Sequence, residues 1–526
     1  MSKKQKHKGQ GFVKATSIMA IFSLIASLLG FVRNIIMSTI FGMGIELDSY
    51  YAAFRVPDFI YMILVGGALS SAFIPVFSTF IANDEEEKGH KMASTILNLV
   101  MVFAIVLCLI GEIFTPQLIN LTTKFSGEKF ALTVKLTRII FFQCFFMCLT
   151  GVAMGICQSY KNFVPTSIGS VFYNLSIIVF GVLFSQIFHL GIAGFSISVV
   201  CGALFNFLMH VGPIKREGFK YYPTLNVHND GVKRFFALFW PMLFGISVTQ
   251  INLLVNQYFA SGLRDSVISA MSNAQVIMEM PNSLFAGSIA ITVFPMMSEH
   301  YAVGDREGYL SDFSLGMRTT LFISIPCTFG LIAVSNPLVK AMFFQGKFSN
   351  DNLSTVSTLL IFYSLGIVGY SLRQVLLRAF YSVQDTRTPV RINIVVLTTN
   401  IILSYIFVKL WREDGLAIAY SMTGILSMTL LTFFLHRKLG KMKGREIFTT
   451  AVKSLLSGVI MFLAIYVLDA VIIGGMFRDA GKIGQVLHLM IMITFGIIVY
   501  AISAVILKMQ EVNIVLDIVK KKLHKA

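Results

Sequence analysis

The sequence predicts an all-α, polytopic membrane protein, and two observations lead to that prediction. Hydrophobic residues make up 56% of the 526 residues and charged residues only 13%, and the mean hydropathy is +0.76. Apolar runs of about 20 residues or more, each long enough to cross a hydrocarbon core of about 30 Å, recur along the whole chain. No soluble domain of this length could bury so much apolar surface in one core.

About fourteen membrane spans are predicted from hydropathy. The apolar run after the basic opening segment MSKKQKHKGQ is too long for a signal-peptide core, and no small-residue cleavage site follows it, so it is interpreted as the first span. The predicted spans lie near residues 14–42, 52–82, 92–114, 130–157, 164–187, 190–211, 234–260, 268–297, 316–336, 355–381, 389–410, 414–436, 449–474 and 482–508.

The formal net charge of +17 would suggest nucleic acid in a soluble protein, but here the cations fall mostly in alternate loops. That distribution follows the positive-inside rule, so both termini are expected in the cytoplasm and no nucleic-acid partner is expected. The cations that define this side are Lys3, Lys4, Lys6, Lys8, Lys215, Arg216, Lys220, Lys233, Arg234, Arg437, Lys438, Lys441, Lys443, Arg445 and Lys520 to Lys522.

Three local sequence matches recur at one interval of 224 residues, which indicates an internal duplication. The matched pairs are Pro57 with Pro281, Pro165 with Pro389, and Gly191 with Gly415. The predicted organisation is an N-terminal lobe over residues 1–220, a C-terminal lobe over 221–440, and two extra spans with a basic tail over 441–526. Parallel repeats with a polar site at their interface are typical of transporters, in which the lobes rock about the site.

The stretch from Leu29 to Phe77 carries the charges that are hardest to explain in a membrane. Arg33 lies inside an apolar run, and a charge at membrane depth usually marks a binding or transport route. Its guanidinium would offer a fixed fork of donors to a phosphate or carboxylate. The alternative is a structural ion pair with Asp58 or Glu279.

Arg55 and Asp58 flank Pro57 and share one helix face. They are expected to contact substrate, to pair with each other, or to act as a gate at the outer mouth. Asp48, beside the preceding loop, is interpreted either as a gate residue or as the cap of a helix that begins after it at Ser49.

The C-terminal lobe contributes a second group of candidate site residues. Glu279 and the nearby Gln275 are expected to face inward, where Glu279 would exchange a pairing with Arg33 for substrate or keep it permanently. Asn256 is expected to line the cavity or to join helices by hydrogen bonds. Arg373 would serve as a cavity cation or as a structural counter-ion.

No catalytic constellation occurs in the sequence: there is no Walker loop, no nucleotide-binding glycine fingerprint and no HExxH. The chain is therefore expected to be a transporter and not an enzyme, with no catalytic residue, no metal and no cofactor. The six cysteines lie in apolar runs, and Cys144 and Cys148 are interpreted as small apolar fillers.

Five segments carry a family likeness: LLGFVRNIIMSTIFGMGIELDSYYAAFRVPDFI, GGALSSAFIPVF, MEMPNSLFAGSIAITVFPMMSEHY, FFQGKFS and LLRAFYSVQDTRTPV. They resemble the MurJ (MviN) lipid II flippases of the MOP exporter superfamily, over nearly the whole chain. The resemblance implies fourteen helices, two lobes and alternating access. It also implies export of the undecaprenyl-diphosphate-linked peptidoglycan precursor to the outer leaflet of the bacterial cytoplasmic membrane, for cell-wall biogenesis and cell shape. The last two spans would form a groove for the lipid tail.

By this resemblance, Arg33 matches the family's cavity arginine, Asp48 the acid of its first loop, and Arg55 the basic position before its proline. Asn34 and Asn256 stand where the family, or some members of it, carries an acid, so ion coupling through Asn256 is in doubt. Further cavity arginines of the family correspond to the uncharged Ser27, Tyr61 and Val276.

The expected partners are a polyprenyl-diphosphate lipid substrate, membrane lipids and cell-wall synthesis proteins. In place of a cofactor, a dependence on the membrane potential or on a monovalent ion is expected. The alternatives left open are a flippase for another polyprenyl-diphosphate glycan, a MATE-like multidrug antiporter, and a scaffold that transports nothing.

Overall fold

The computed structural model describes residues 3–65, 68–440, 442–473 and 481–512. The helices of this described part are joined by turns and loops, and no strand occurs in it, which confirms the predicted all-α class. The helices are α1 (Lys3–Phe41), α2 (Ile45–Leu64), α3 (Ala68–Ala82), α4 (Glu86–Thr122), α5 (Gly127–Ser159), α6 (Val164–Val182), α7 (Ile192–Arg216), α8 (Asp230–Ser261), α9 (Val267–Pro281), α10 (Gly287–Ala302), α11 (Arg306–Phe343), α12 (Asn350–Ser364), α13 (Ile367–Ser382), α14 (Arg387–Leu439), α15 (Gly444–Val467) and α16 (Lys482–Ile506).

Within the described ranges, ten helices are long and apolar enough to cross a membrane, and eleven if α12 and α13, which are bent by 42°, form one span. Three short π-helical turns extend or join helices, at Leu183–Ile187, Asn282–Ala286 and Leu468–Ile473. The turn at Asn282–Ala286 makes α9 and α10 one continuous helical run. These eleven helices account for twelve of the fourteen predicted spans, because α14 contains two of them. The other two predicted spans, 52–82 and 234–260, fall on α2 with α3 and on α8.

The break within α14 separates two predicted spans, 389–410 and 414–436. Trp411 and Arg412 have non-helical backbone angles, with φ of −129° and +50°. A Cβ at Gly415 would lie only 2.2 Å from the carbonyl oxygen of Phe407, so the chain can fold back this tightly only with glycine there. Gly191, its sequence match in the first half, also stands at a tight turn and has φ of +57°.

The chain forms two compact units, and the first comprises Met1–Ser269. One apolar cluster of this unit surrounds Phe73 and Phe77 and draws on α3, α4, α5 and α8. A second surrounds Tyr50 and Phe195 and draws on α1, α2, α5, α6 and α7. The second cluster fixes α1 and α2, the two helices that carry Arg33, Asp48, Arg55 and Asp58.

The second unit comprises Ala270–Ala526. Its apolar cluster surrounds Phe313 and Phe380 and draws on α10, α11, α13 and α14. Helices α13 and α14 cross at two glycines, because a Cβ at Gly369 would lie 2.6 Å from the carbonyl carbon of Gly424. Small residues commonly allow such close backbone approach between membrane helices.

Replacing Gly369 with alanine is expected to destabilise the protein by about 1–3 kcal/mol, because the new methyl group meets backbone atoms that cannot rotate away. The matched control is Gly330→Ala in α11, where the nearest neighbour of the Cβ would be Met461 Cε at 3.6 Å, an ordinary contact. Thermal denaturation of the purified variants measures the difference. Equal midpoints for the two variants would show that the α13–α14 crossing is looser than described.

The turn between α13 and α14 is fixed by Asp385. Its Oδ1 accepts a hydrogen bond from the Thr388 backbone N–H at 3.0 Å, and its Oδ2 accepts from Thr388 Oγ1 and from Lys438 Nζ, each at 2.8 Å. Burial alone would raise the pKa of Asp385. The Lys438 ammonium and the donors of Thr388 outweigh burial and hold that pKa at about 2.

We expect Asp385→Asn to lower stability by about 1–2 kcal/mol at neutral pH. A carboxyl with a depressed folded-state pKa contributes stability above its unfolded pKa, near 3.8, and loses it as the pH falls towards about 2. The deficit of the variant should therefore be constant from pH 7 to about pH 5 and shrink below pH 4. Denaturation midpoints measured across that range give the answer, and a deficit that grows on acidification would contradict it.

Candidate functional site

Arg33 lies half-buried in α1, within the span that the sequence predicted. Its Nε and Nη2 each approach Oδ1 of Asn34 at 3.4 Å, near the long limit for a hydrogen bond. Asn34 itself is buried, with 3% of its surface exposed. The neutral amide thus orients the guanidinium without cancelling its charge, and it uses only two of the five donors that an arginine carries.

Asp58 of α2 lies near Arg33 in the same unit and is also half-buried. The charges of Arg55 and Arg33 both act on its carboxylate. Within the described residues, however, neither guanidinium comes within 4 Å of that carboxylate. The structural ion pair between Arg33 and Asp58, and the direct pairing of Arg55 with Asp58, are therefore absent from this part of the chain.

Two tyrosines complete this region, and sequence reasoning missed both. Tyr50 of α2 is 2% exposed, and Tyr173 of α6 accepts a hydrogen bond from Gln143 Nε2 at 3.3 Å. The Arg33 charge acts on both hydroxyl groups. A tyrosine combines an apolar ring with a polar tip, but nothing in the neighbouring sequence places either hydroxyl group beside Arg33.

In the second unit, Arg373 lies half-buried in α13, and its Nη2 donates to Oδ1 of Asn393 at 3.1 Å. Its charge acts on Tyr370, on which the charge of Glu279 acts as well. Tyr370 stacks on Tyr420 with ring centroids 4.5 Å apart. These residues form a polar and aromatic group, and the tyrosines in it were not predicted.

Glu279 and Gln275 lie one turn apart on α9. Glu279 is exposed, and Gln275 Nε2 donates to the hydroxyl of Tyr363 at 3.1 Å. Asn256 is half-buried in α8 of the first unit, and its neighbour Gln257 donates to the Ala52 carbonyl at 3.5 Å. The roles of Glu279, Gln275 and Asn256 in substrate binding or coupling stay predictions.

Asp48 is fully buried, and it does not cap the helix that follows it. Helix α2 already begins at Ile45, with Gly44 at its N-cap, so the expected helix start at Ser49 was wrong. Its carboxylate instead accepts hydrogen bonds from the backbone N–H groups of Ser266 at 2.9 Å and Ser269 at 2.8 Å. These donors belong to the N-terminus of α9, so Asp48 caps a helix more than 200 residues away in the sequence.

Two further donors complete the Asp48 site. Ser269 Oγ and Lys129 Nζ each donate to the carboxylate at 2.8 Å. The Lys129 side chain is 12% exposed, also pairs with Asp265 at 2.8 Å, and lies 4.3 Å from the centre of the Phe125 ring. A buried carboxylate with four donors, one of them a half-buried ammonium, is a fixed anchor for the start of α9.

Apolar spanning helices that carry half-buried arginines, acids and tyrosines define this chain as a multi-pass membrane transporter. The model of the MurJ family, described as lipid II flippase MurJ, matches residues 37–480. The chain therefore belongs to the MurJ family of lipid II flippases. Proteins of this family are transporters, in agreement with the prediction that the chain is not an enzyme.

Individual relatives give the same assignment. The chain is 29% identical over 434 residues to the probable lipid II flippase MurJ of Vibrio cholerae, covering 81% of this chain and 83% of that protein. It is 28% identical over 428 residues to the lipid II flippase MurJ of Burkholderia cenocepacia, covering 79% and 82%. The similarity to these flippases, together with the apolar spanning helices, places the chain among the multi-pass proteins of the inner membrane.

Two solved structures are similar to this chain in fold. A structure of lipid II flippase MurJ in an inward closed conformation matches with a TM-score of 0.79 and 27% identity, over 93% of this chain and 98% of that one. An inward-facing multidrug MATE transporter of the MOP superfamily matches with a TM-score of 0.67 and 13% identity, over 80% and 97%. The second likeness concerns the fold alone, and the multidrug antiporter alternative is not favoured.

Proposed function

We propose that this protein flips lipid II, the undecaprenyl-diphosphate-linked peptidoglycan precursor, from the inner to the outer leaflet of the cytoplasmic membrane by alternating access. The observation that carries the proposal is the family match over residues 37–480. Both termini would lie in the cytoplasm, as the distribution of Lys and Arg predicts. Cell-wall synthesis proteins that make or consume the precursor would be its partners.

The physical problem of flipping is confined to the head of the substrate. A diphosphate with its sugars cannot cross hydrocarbon unaided, whereas the isoprenoid tail never needs to leave it. Arg33 in the first unit and Arg373 in the second are the cations that we assign to the diphosphate. Arg33 suits this role because its only hydrogen-bond partner within the described residues is the neutral Asn34.

Three positions that correspond to family arginines are neutral here. Ser27 donates to the Ser23 carbonyl of its own helix at 3.0 Å, and Tyr61 and Val276 are half-buried. The empty site would therefore carry few cations, and each elementary charge is worth about 2.3 kcal/mol per 100 mV of membrane potential. We propose that the potential resets these cations inward; transport that is insensitive to a collapsed potential would rule this out.

The test of the function is depletion of this protein in its own host, with lipid II assayed in the outer leaflet. The expected result is a fall in outer-leaflet lipid II that wild-type protein restores. Unchanged lipid II together with loss of another polyprenyl-diphosphate glycan at the cell surface would instead identify a different cargo. Unchanged levels of every such lipid would leave the scaffold alternative as the better explanation.

A further inference from the structure

A cavity of about 230 Å³ lies where the start of α15 meets the end of α16 and α11 passes by. Arg318 of α11 lines this cavity, and all three nitrogen atoms of its guanidinium donate hydrogen bonds. Its Nε donates to Glu511 Oε1 at 2.7 Å, and its Nη1 donates to Glu446 Oε2 at 3.2 Å. Its Nη2 donates to Gln510 Oε1 at 2.7 Å. One arginine thus holds both carboxylates of the cavity.

Three more cations line the same cavity: Arg445, Lys453 and Lys508. Among the described residues, none of the three has a carboxylate within 4 Å, and Lys453 Nζ donates only to the Lys508 carbonyl, at 3.3 Å. The lining therefore carries four cations and two carboxylates, a net charge of +2. Such a surplus of positive charge attracts an anion.

An exposed apolar stripe continues from this cavity along α15. Leu456, Ile460 and Leu463 follow Lys453 at intervals that keep them on one helix face, and they are 48%, 47% and 53% exposed. Ten residues of helix span about 15 Å. The cations thus lie at one end of α15, and exposed apolar side chains follow along the same helix. This arrangement is complementary to an amphiphile with an anionic headgroup and an apolar chain.

We propose that this cavity binds the phosphate of an anionic phospholipid headgroup, with an acyl chain lying along the Leu456–Leu463 stripe. Basic pockets between membrane helices on the cytoplasmic side are known to take such headgroups. The cavity is smaller than the roughly 300–1,000 Å³ of a pocket for a drug-sized ligand, which suits a small headgroup. Neither Arg33 nor Arg373 lines this cavity, and the inference does not depend on which cargo the protein carries.

The test is titration of the detergent-purified full-length protein with phosphatidylglycerol, with bound lipid counted by native mass spectrometry. In the test variant, Arg445, Lys453 and Lys508 are each changed to Gln. Since a cation near a membrane surface contributes a factor of about five in affinity, phosphatidylglycerol binding at this site should weaken about 100-fold. The matched control changes Lys215, Arg216 and Lys220 to Gln, exposed cations of the same number and types at the end of α7 and just beyond it.

Equal weakening by both variants would overturn the proposal, since it would reduce the effect to general surface charge. Full competition by glycerol 3-phosphate would also overturn it, because the ligand would then be a free phosphate and not a lipid. A third variant, with Arg445→Lys, Lys453→Arg and Lys508→Arg, guards against misfolding. It should bind phosphatidylglycerol within about twofold of wild type, and loss of binding in this variant would contradict a charge-based site.

Discussion

Arg33→Ala is expected to reduce lipid II transfer by about 30-fold or more, so that it fails to restore outer-leaflet lipid II after depletion of the wild-type protein. Loss of one partner from a desolvated, charge-assisted contact costs about 2–5 kcal/mol. The half-buried guanidinium, whose only hydrogen-bond partner among the described residues is a neutral amide, is the group whose removal would leave a bound diphosphate uncompensated. Outer-leaflet lipid II in the depleted host measures the effect.

Two variants separate a binding role for Arg33 from a structural one. Arg33→Lys keeps the charge but loses the fork that matches a phosphate, so partial rescue is expected. Arg378→Ala is the matched control: this arginine is also half-buried, and its guanidinium lies 5.5 Å from the centre of the Phe294 ring. It should rescue fully. If Arg33→Ala rescues as well as Arg378→Ala does, Arg33 is not the binding residue.

Asp48→Ala is expected to destabilise the protein by about 3–5 kcal/mol, the range for removing one member of a buried ion pair. The change leaves the backbone N–H groups of Ser266 and Ser269 without their acceptor, and of its two carboxylate partners Lys129 keeps only the exposed Asp265. Unfolding of the purified protein in mixed micelles with increasing SDS measures the loss. Asp230→Asn is the control, since that aspartate also lies in a first helical turn but its side chain is 90% exposed.

A double-mutant cycle tests whether Lys129 accounts for the effect. Changing Lys129 to Met in the Asp48→Asn background removes the ammonium that has lost its buried partner, so the double change should be less destabilising than the sum of the single changes. Strict additivity would mean that Asp48 acts only through the helix N-terminus. A loss of less than about 0.5 kcal/mol for Asp48→Ala would contradict the anchoring role of Asp48, because ordinary surface substitutions change stability by amounts of that size.

The spans could be predicted because apolar length is a local property that the membrane imposes on each segment independently. Even the break at Trp411 and Arg412 lies between two spans predicted from hydropathy. The position of Arg33 inside a span followed from the same local pattern. Each of these predictions required only neighbouring residues.

The partners of the site residues could not be predicted in this way. From its local sequence Asp48 could cap the helix that follows it, yet its carboxylate accepts hydrogen bonds from Lys129, Ser266 and Ser269. Nothing near Tyr173 in the sequence indicates that it lies beside Arg33. Such contacts depend on how helices associate, and helix association depends on small residues such as Gly369 that carry no polar signal.

The π-helical turn at Asn282–Ala286 shifts the helical register of the buried residues between α9 and α10. Buried positions in α9 include Ala274, Ile277 and Met278, and an unbroken 3.6-residue repeat from Met278 would place the next ones near 285, 289, 292 and 296. The buried residues from the last position of the turn onward are instead Ala286, Ala290, Val293 and Met297, each about one position later. The wide turn thus accommodates a one-residue insertion. Deleting a residue there would rotate α10 by about 100° and turn Val293 and Met297 away from the apolar cluster that they now share with α11.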